Sequence, residues 1–119
     1  MPTEAKHLSQ YSKNKELLSL REFNITTTKY LDWVITIVFY SAIHLVEKEL
    51  AKMCYHSKSH EKREIAITKH HCLKMIHTEY HSLYMASIKA RYDCHSYKEK
   101  DAHVFFNHLN KIEKLLKVI

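Results

Sequence analysis

The chain has 119 residues, 45% hydrophobic and 27% charged, with a net charge of +6, no glycine and one proline. That is one domain's worth of chain, long enough to bury a core without disulfides or metals. Without glycine, repeated tight hairpins are hard to build and the Gly-rich phosphate loops of the commonest nucleotide enzymes cannot exist, so an all-α fold with no cofactor is expected.

In chain order, a first helix is predicted from about Glu4 to Phe23, with Ala5, Leu8, Tyr11, Leu18 and Phe23 as its apolar stripe. Asn24 is its expected stop, because asparagine tolerates the left-handed conformation. Thr26 to Thr28 offer N-caps to a second helix, about Thr28 to Met53. Trp33 to Val46 carries no formal charge, and ten of its fourteen residues are large apolar or aromatic. A membrane span needs about twenty such residues, so this segment reads as a central helix packed on several sides. No membrane association and no signal peptide are expected.

Tyr55 to Ser59 reads as a polar loop, with Ser59 capping a third helix and Glu61 in its first turn. One helix from there to Tyr92 would be about 50 Å long, too long for so small a bundle. A break is expected near Thr68 to His71. The longer helix after it carries Leu73, Ile76, Tyr80, Leu83, Ser87 and Ala90 on one side. Ser96-Tyr97-Lys98-Glu99 has the form of a capping box, which starts a last helix at about Tyr97. Its stripe is Phe105, Leu109, Ile112, Leu116 and Ile119. The expected architecture is an up-and-down bundle of four or five helices.

Charge and histidine are unevenly spread. Residues 1–51 carry six basic and six acidic side chains, whereas residues 52–119 carry thirteen and seven, with nine of the eleven histidines. A basic half can attract phosphate-rich partners, and a solvated lysine surface explains much of it as well. The three cysteines, Cys54, Cys72 and Cys94, are odd in number and lack CxxC spacing, which fits a reduced, cytoplasmic setting.

His77 and His81 are four apart on a helix, as are His56 and His60 in part, but four converging ligands are not evident and no metal site is expected. His44 in the apolar helix reads as a hydrogen-bonded core histidine. Arg91 and His95 lie close at the end of the long helix. An arginine can grip a phosphate and a histidine can move a proton at neutral pH. Together they suffice for metal-independent RNA cleavage by attack of the 2′-hydroxyl on its own phosphate. The plain alternative is an arginine that pairs with Asp93 or caps helix carbonyls, and a surface histidine. No Ser-His-Asp or Cys-His hydrolase pattern is present.

Asp32-Trp33 followed by Phe39-Tyr40-Ser41-Ala42-Ile43-His44 resembles the central helix of small prokaryotic HEPN-type proteins. Ser59-His60 with Arg63, and Tyr80-x-x-Leu83-x-x-x-Ser87-x-x-Ala90-Arg91-Tyr92, fit the same pattern, as do His7 and Asn14 upstream. The resemblance covers about residues 7–115. It implies a HEPN-like up-and-down bundle that forms a homodimer and binds RNA or a nucleotide. On it, His60, Arg63, Ser87 and Tyr92 become candidate RNA- or nucleotide-binding residues, and Arg91 and His95 candidate catalytic ones. Active members are metal-independent endoribonucleases of toxin–antitoxin or defence systems, often with a nucleotidyltransferase-type antitoxin as partner. Others are non-catalytic modules that act through a partner protein. In active members four to six residues separate the arginine from the histidine; here only three do, a departure that leans towards the branch without the nuclease motif.

Overall fold

A computed structural model describes residues 1–116. They form five α-helices, and no strand occurs among the described residues: α1 Glu4–Leu18, α2 Leu31–Ala51, α3 His60–Lys69, α4 His77–Tyr92 and α5 Glu99–Leu115. Short 3₁₀ turns at Arg21–Phe23 and Leu73–Ile76 link α1 to α2 and α3 to α4. Among the described residues no helix is long and apolar enough to cross a membrane.

Cross-helix pairs give the topology. Glu4 reaches Lys52 and His7 reaches His44, so α1 runs antiparallel to α2. Arg63 joins Glu47 of α2 to Tyr80 of α4 while Arg91 meets Tyr40, so α4 runs antiparallel to α2. Tyr97 reaches Ala86 and Lys111 reaches Glu79, both at 2.9 Å, so α5 runs antiparallel to α4. The chain therefore goes up and down, with α2 packed against α1, α4 and α5. The core is Val34, Val38, Phe39, Leu45, Val46 and Leu50 of α2, closed by Ile67, Leu73, Ile76, Tyr80, Leu83, Leu109 and Ile112. Each such side chain, fully buried, contributes roughly 1.5–3 kcal/mol of transfer free energy.

The inner face of α1 differs from its expected stripe. Ala5 and Leu8 are exposed, and the buried positions are His7 and Tyr11, with Asn14 and Leu18 half-buried below them. The helix also ends at Leu18 instead of Phe23. The Ser19 hydroxyl donates to Glu16 O at 2.6 Å and Leu20 turns extended, so a side chain competes for a carbonyl the helix would use. Asn24 is not left-handed: its φ is −63° and ψ 120°. Its carboxamide oxygen accepts from Thr26 N at 2.9 Å in an Asx turn. Thr28 accepts from Tyr30 N at 3.0 Å, which holds the chain in a turn and delays α2 to Leu31.

Two positions do need the left-handed region, and cysteine takes both: Cys54 at φ 57° and Cys94 at φ 52°. After α2, Tyr55 N donates back to Leu50 O at 3.1 Å; after α4, His95 N donates to Lys89 O at 3.3 Å. The first is the six-to-one bond of a Schellman stop, where glycine is usual; the second reaches one residue further back.

The break after α3 falls where expected. His70 is extended, and its Nδ1 accepts from Cys72 N and Leu73 N, capping the 3₁₀ turn. The residues Leu73, Ile76, Tyr80, Leu83, Ser87 and Ala90 all face inward. α5 begins at Glu99 instead of Tyr97. Tyr97 is half-buried against α4, its hydroxyl donating to Ala86 O at 2.9 Å, and the chain stays extended through Lys98. Asp101, not Glu99, closes the cap by accepting from Lys98 N at 2.9 Å; the lysine side chain has no acceptor to return. Leu109, Ile112 and Leu116 are buried and Phe105 half-buried as expected, while Ile119 lies outside the described residues.

The central helix is not packed all round. Trp33 is 57% exposed and Tyr40 38%, and with half-buried Ile37 and His44 they form an outer stripe at helical spacing.

Candidate functional site

The site grows from the start of α3. Ser59 caps that helix by accepting from Lys62 N at 3.1 Å, which places His60 in the first turn and Arg63 one turn on. Arg63 donates through Nε to Glu47 of α2 at 2.7 Å, and through Nη1 to His60 Nδ1 at 2.9 Å and the Tyr80 hydroxyl at 3.5 Å. Ser57 also donates to Glu47, which is buried. Arg63 and Glu47 thus neutralise one another beneath the surface. Removing one member of such a buried pair leaves the other charge stranded, which costs about 3–5 kcal/mol.

A guanidinium has only donors, so Nδ1 of His60 must accept and the ring proton sits on Nε2. Burial lowers the His60 pKa, and repulsion from Arg63 and Arg91 lowers it further, against a smaller opposing pull from Glu64. His60 is therefore a neutral N–H donor near neutral pH. Its ring packs against both Phe39 and Tyr84, with centroids 5.9 and 5.1 Å away.

Arg91 approaches this ring from the other end of α4. Its Nη2 meets Ser87 Oγ at 3.2 Å, its Nε meets Ser87 O at 3.3 Å, and its Nη1 meets the hydroxyls of Tyr40 and Tyr92 at 3.3 and 3.4 Å. The guanidinium also sits over the Tyr92 and Tyr40 rings, 5.0 and 5.8 Å from their centroids. Among the described residues no carboxylate pairs with it, so the pairing with Asp93 does not form. Ser87 is fully buried and donates to Tyr84 O at 2.9 Å, which leaves its oxygen to hold Arg91.

The expected site residues fall into two groups, His60 with Arg63, and Ser87 and Tyr92 with Arg91; Arg63 and Ser87 lie beneath the surface. His95 stands apart. It is exposed, with its ring edge-on to Tyr97 at 4.5 Å. It shares with Arg91 the lining of an open cavity of about 540 Å³ beside Thr28, Lys29 and Asp32, but makes no hydrogen bond to Arg91. Cys94, at φ 52°, ends the helical path between the two residues, and both still face the same cavity.

Sequence reasoning missed Glu47, Tyr40 and Tyr84. The available signal was polar groups at spacings of three and four along α2: Tyr40, His44 and Glu47. His44 is hydrogen-bonded as expected, and half-buried instead of in the core. Its Nδ1 lies 3.1 Å from Nδ1 of His7, so one ring donates and the other accepts. Burial lowers both pKa values, against the opposing charge of Glu47.

No protein-family profile, curated protein or solved structure matches this chain.

Proposed function

We propose that the chain is an RNA- or nucleotide-binding helical module of HEPN-like type, which grips phosphate at Arg91 and His60 and stacks bases on the surrounding rings. The observation that carries this reading is Arg91, a guanidinium with no carboxylate partner among the described residues, held by neutral hydroxyls beside exposed aromatic rings. Arginine with stacking platforms is the chemistry of single-stranded nucleic acid recognition. His60 adds a neutral donor, while Arg63 serves mainly to hold Glu47 and His60. Binding is favoured over cleavage because only three residues separate Arg91 from His95, one fewer than in the active members of the family it resembles.

The resemblance to HEPN proteins also implies a homodimer, and the outer stripe of α2 supports it. Trp33, Ile37 and Tyr40 present apolar surface along one helix face, and Tyr40 joins that face to the Arg91 patch. A site at the edge of a dimer interface fits this layout. A nucleotidyltransferase-type antitoxin as partner rests on the resemblance alone, and co-purification with the product of an adjacent gene tests it.

Fluorescence anisotropy with single-stranded RNA tests the main reading. A hydrogen bond to a charged group is worth about 1.5–3 kcal/mol, so Arg91→Ala should weaken binding roughly tenfold or more and flatten its salt dependence. Equal binding by wild type and Arg91→Ala would remove the proposal. Cleavage that persists in EDTA and disappears in both Arg91→Ala and His95→Ala would convert the binding module into a nuclease.

A further inference from the structure

A second cluster lies on the far side of Tyr84. Glu64 follows Arg63 on α3, and His77 and His81 stand one turn apart at the start of α4. His77 Nε2 is 2.8 Å from one Glu64 oxygen, and His81 Nδ1 is 3.0 Å from the other. The three ligating atoms all lie within 4.8 Å of one another. Glu64 has no lysine or arginine partner among the described residues; its carboxylate is held by two imidazoles.

We propose that Glu64, His77 and His81 bind a divalent transition-metal ion of the zinc class. Two imidazole nitrogens and one carboxylate oxygen are a donor set that zinc accepts, and three protein ligands leave a fourth position for water or another ligand. Zinc–nitrogen bonds of about 2.0–2.1 Å in tetrahedral geometry separate neighbouring ligand atoms by about 3.4 Å. Each imidazole nitrogen stands slightly closer than that to its own Glu64 oxygen, and the three ligand atoms lie within 4.8 Å of one another, so side-chain rotation suffices to bring them to that spacing. His77 and His81 are more than a third exposed, which gives the ion a path in and puts the open position towards solvent. The bound ion ties α3 to α4. It thereby holds the helix that carries His60 and Arg63, with only the Tyr84 ring between: Tyr84 lies 6.3 Å from His81 and 5.1 Å from His60.

The test uses the untagged chain, stripped with EDTA, dialysed against zinc chloride and weighed for metal by mass spectrometry. One zinc per chain is expected above the level held by His77→Ala/His81→Ala. Cobalt substituted for zinc should give the intense visible bands of a low-coordinate site in the wild type and not in that variant. Glu64→Gln should weaken zinc binding by about tenfold or more, since losses of that size follow even from changes beyond the direct ligands. Circular dichroism checks that the variants fold, and His81→Gln, at the most exposed ligand, provides the comparison if the double variant does not. Equal zinc in wild type and ligand variants would overturn the site and assign the metal to adventitious binding by the other histidines and the exposed cysteines. Arg91→Ala should keep its zinc in full, so this inference and the RNA-binding reading fail separately.

Discussion

Arg63 and Arg91 carry the same charge in opposite settings. Arg63 is matched by Glu47 and is nearly enclosed; Arg91 is surrounded by hydroxyls and rings and keeps its charge for a ligand. The His7–His44 pair shows a related principle. Of two imidazoles hydrogen-bonded to each other through Nδ1, the acceptor must be neutral, since an imidazolium has no acceptor nitrogen. Burial holds both pKa values below 6.5, with Glu47 pulling the other way; His56 and Arg63 add to the depression at His7, and His7 and Arg63 to that at His44, and His60 is shifted in the same direction. Above about pH 7 folded and unfolded chains carry the same neutral rings, and these groups leave stability unchanged. Below the ordinary value the unfolded chain takes up protons that the folded one does not, so stability falls as pH falls. Thermal melts should therefore be flat near pH 7–8 and decline from about pH 6.5 to pH 5. His7→Gln/His44→Gln should make that decline shallower; an unchanged slope would mean that other groups carry it.

At the scale of the helix, the missing glycine has a structural counterpart. The chain still needs left-handed residues after α2 and α4, and it uses Cys54 and Cys94 there. An L-residue with a Cβ is disfavoured in that region by about 1–2 kcal/mol, partly offset by glycine's greater freedom when unfolded. Cys54→Gly, remote from the Arg91 patch, should stabilise the fold by about 0.5–1 kcal/mol in urea denaturation, and Cys54→Ala should not. Helix number and the break after α3 were legible because Leu73 through Ala90 and Phe105 through Leu116 repeat at threes and fours, a spacing set by burial on one side. The face of α1 was not legible, since its buried positions are polar: His7 pairs with His44, and Tyr11 with Glu113, partners that lie 37 and 102 residues away. Helix ends were misplaced where a side chain took a backbone group, as Ser19, Thr28 and Asp101 do. The candidate site was legible as a set of residue types and not as a geometry. Nothing local to Arg91 and His95 signals that the residue before the histidine, Cys94, takes φ 52° and ends the helix between them.

For the whole molecule, α2 divides into an inner and an outer surface with different roles. Phe39 is fully buried among Tyr80, Tyr84 and His60, and Phe39→Ala should cost about 3–5 kcal/mol, a large share of the stability of a domain this size. Trp33 is mostly exposed, so Trp33→Ala should leave the melting temperature nearly unchanged. If the proposed dimer forms along that stripe, sedimentation should show Trp33→Asp as a folded monomer and the wild type as a dimer; a wild type that sediments as a monomer removes the dimer. Elsewhere the two ends of the chain are joined. The Tyr11 hydroxyl donates to Glu113, which is wholly enclosed, and Lys15 meets the same carboxylate at 2.9 Å. During synthesis, α1 leaves the ribosome first, yet Tyr11 waits for its partner until 102 more residues have been added. The bundle can collapse around α2 before then, but it cannot close, and a nascent chain arrested short of α5 should remain open to protease along α1.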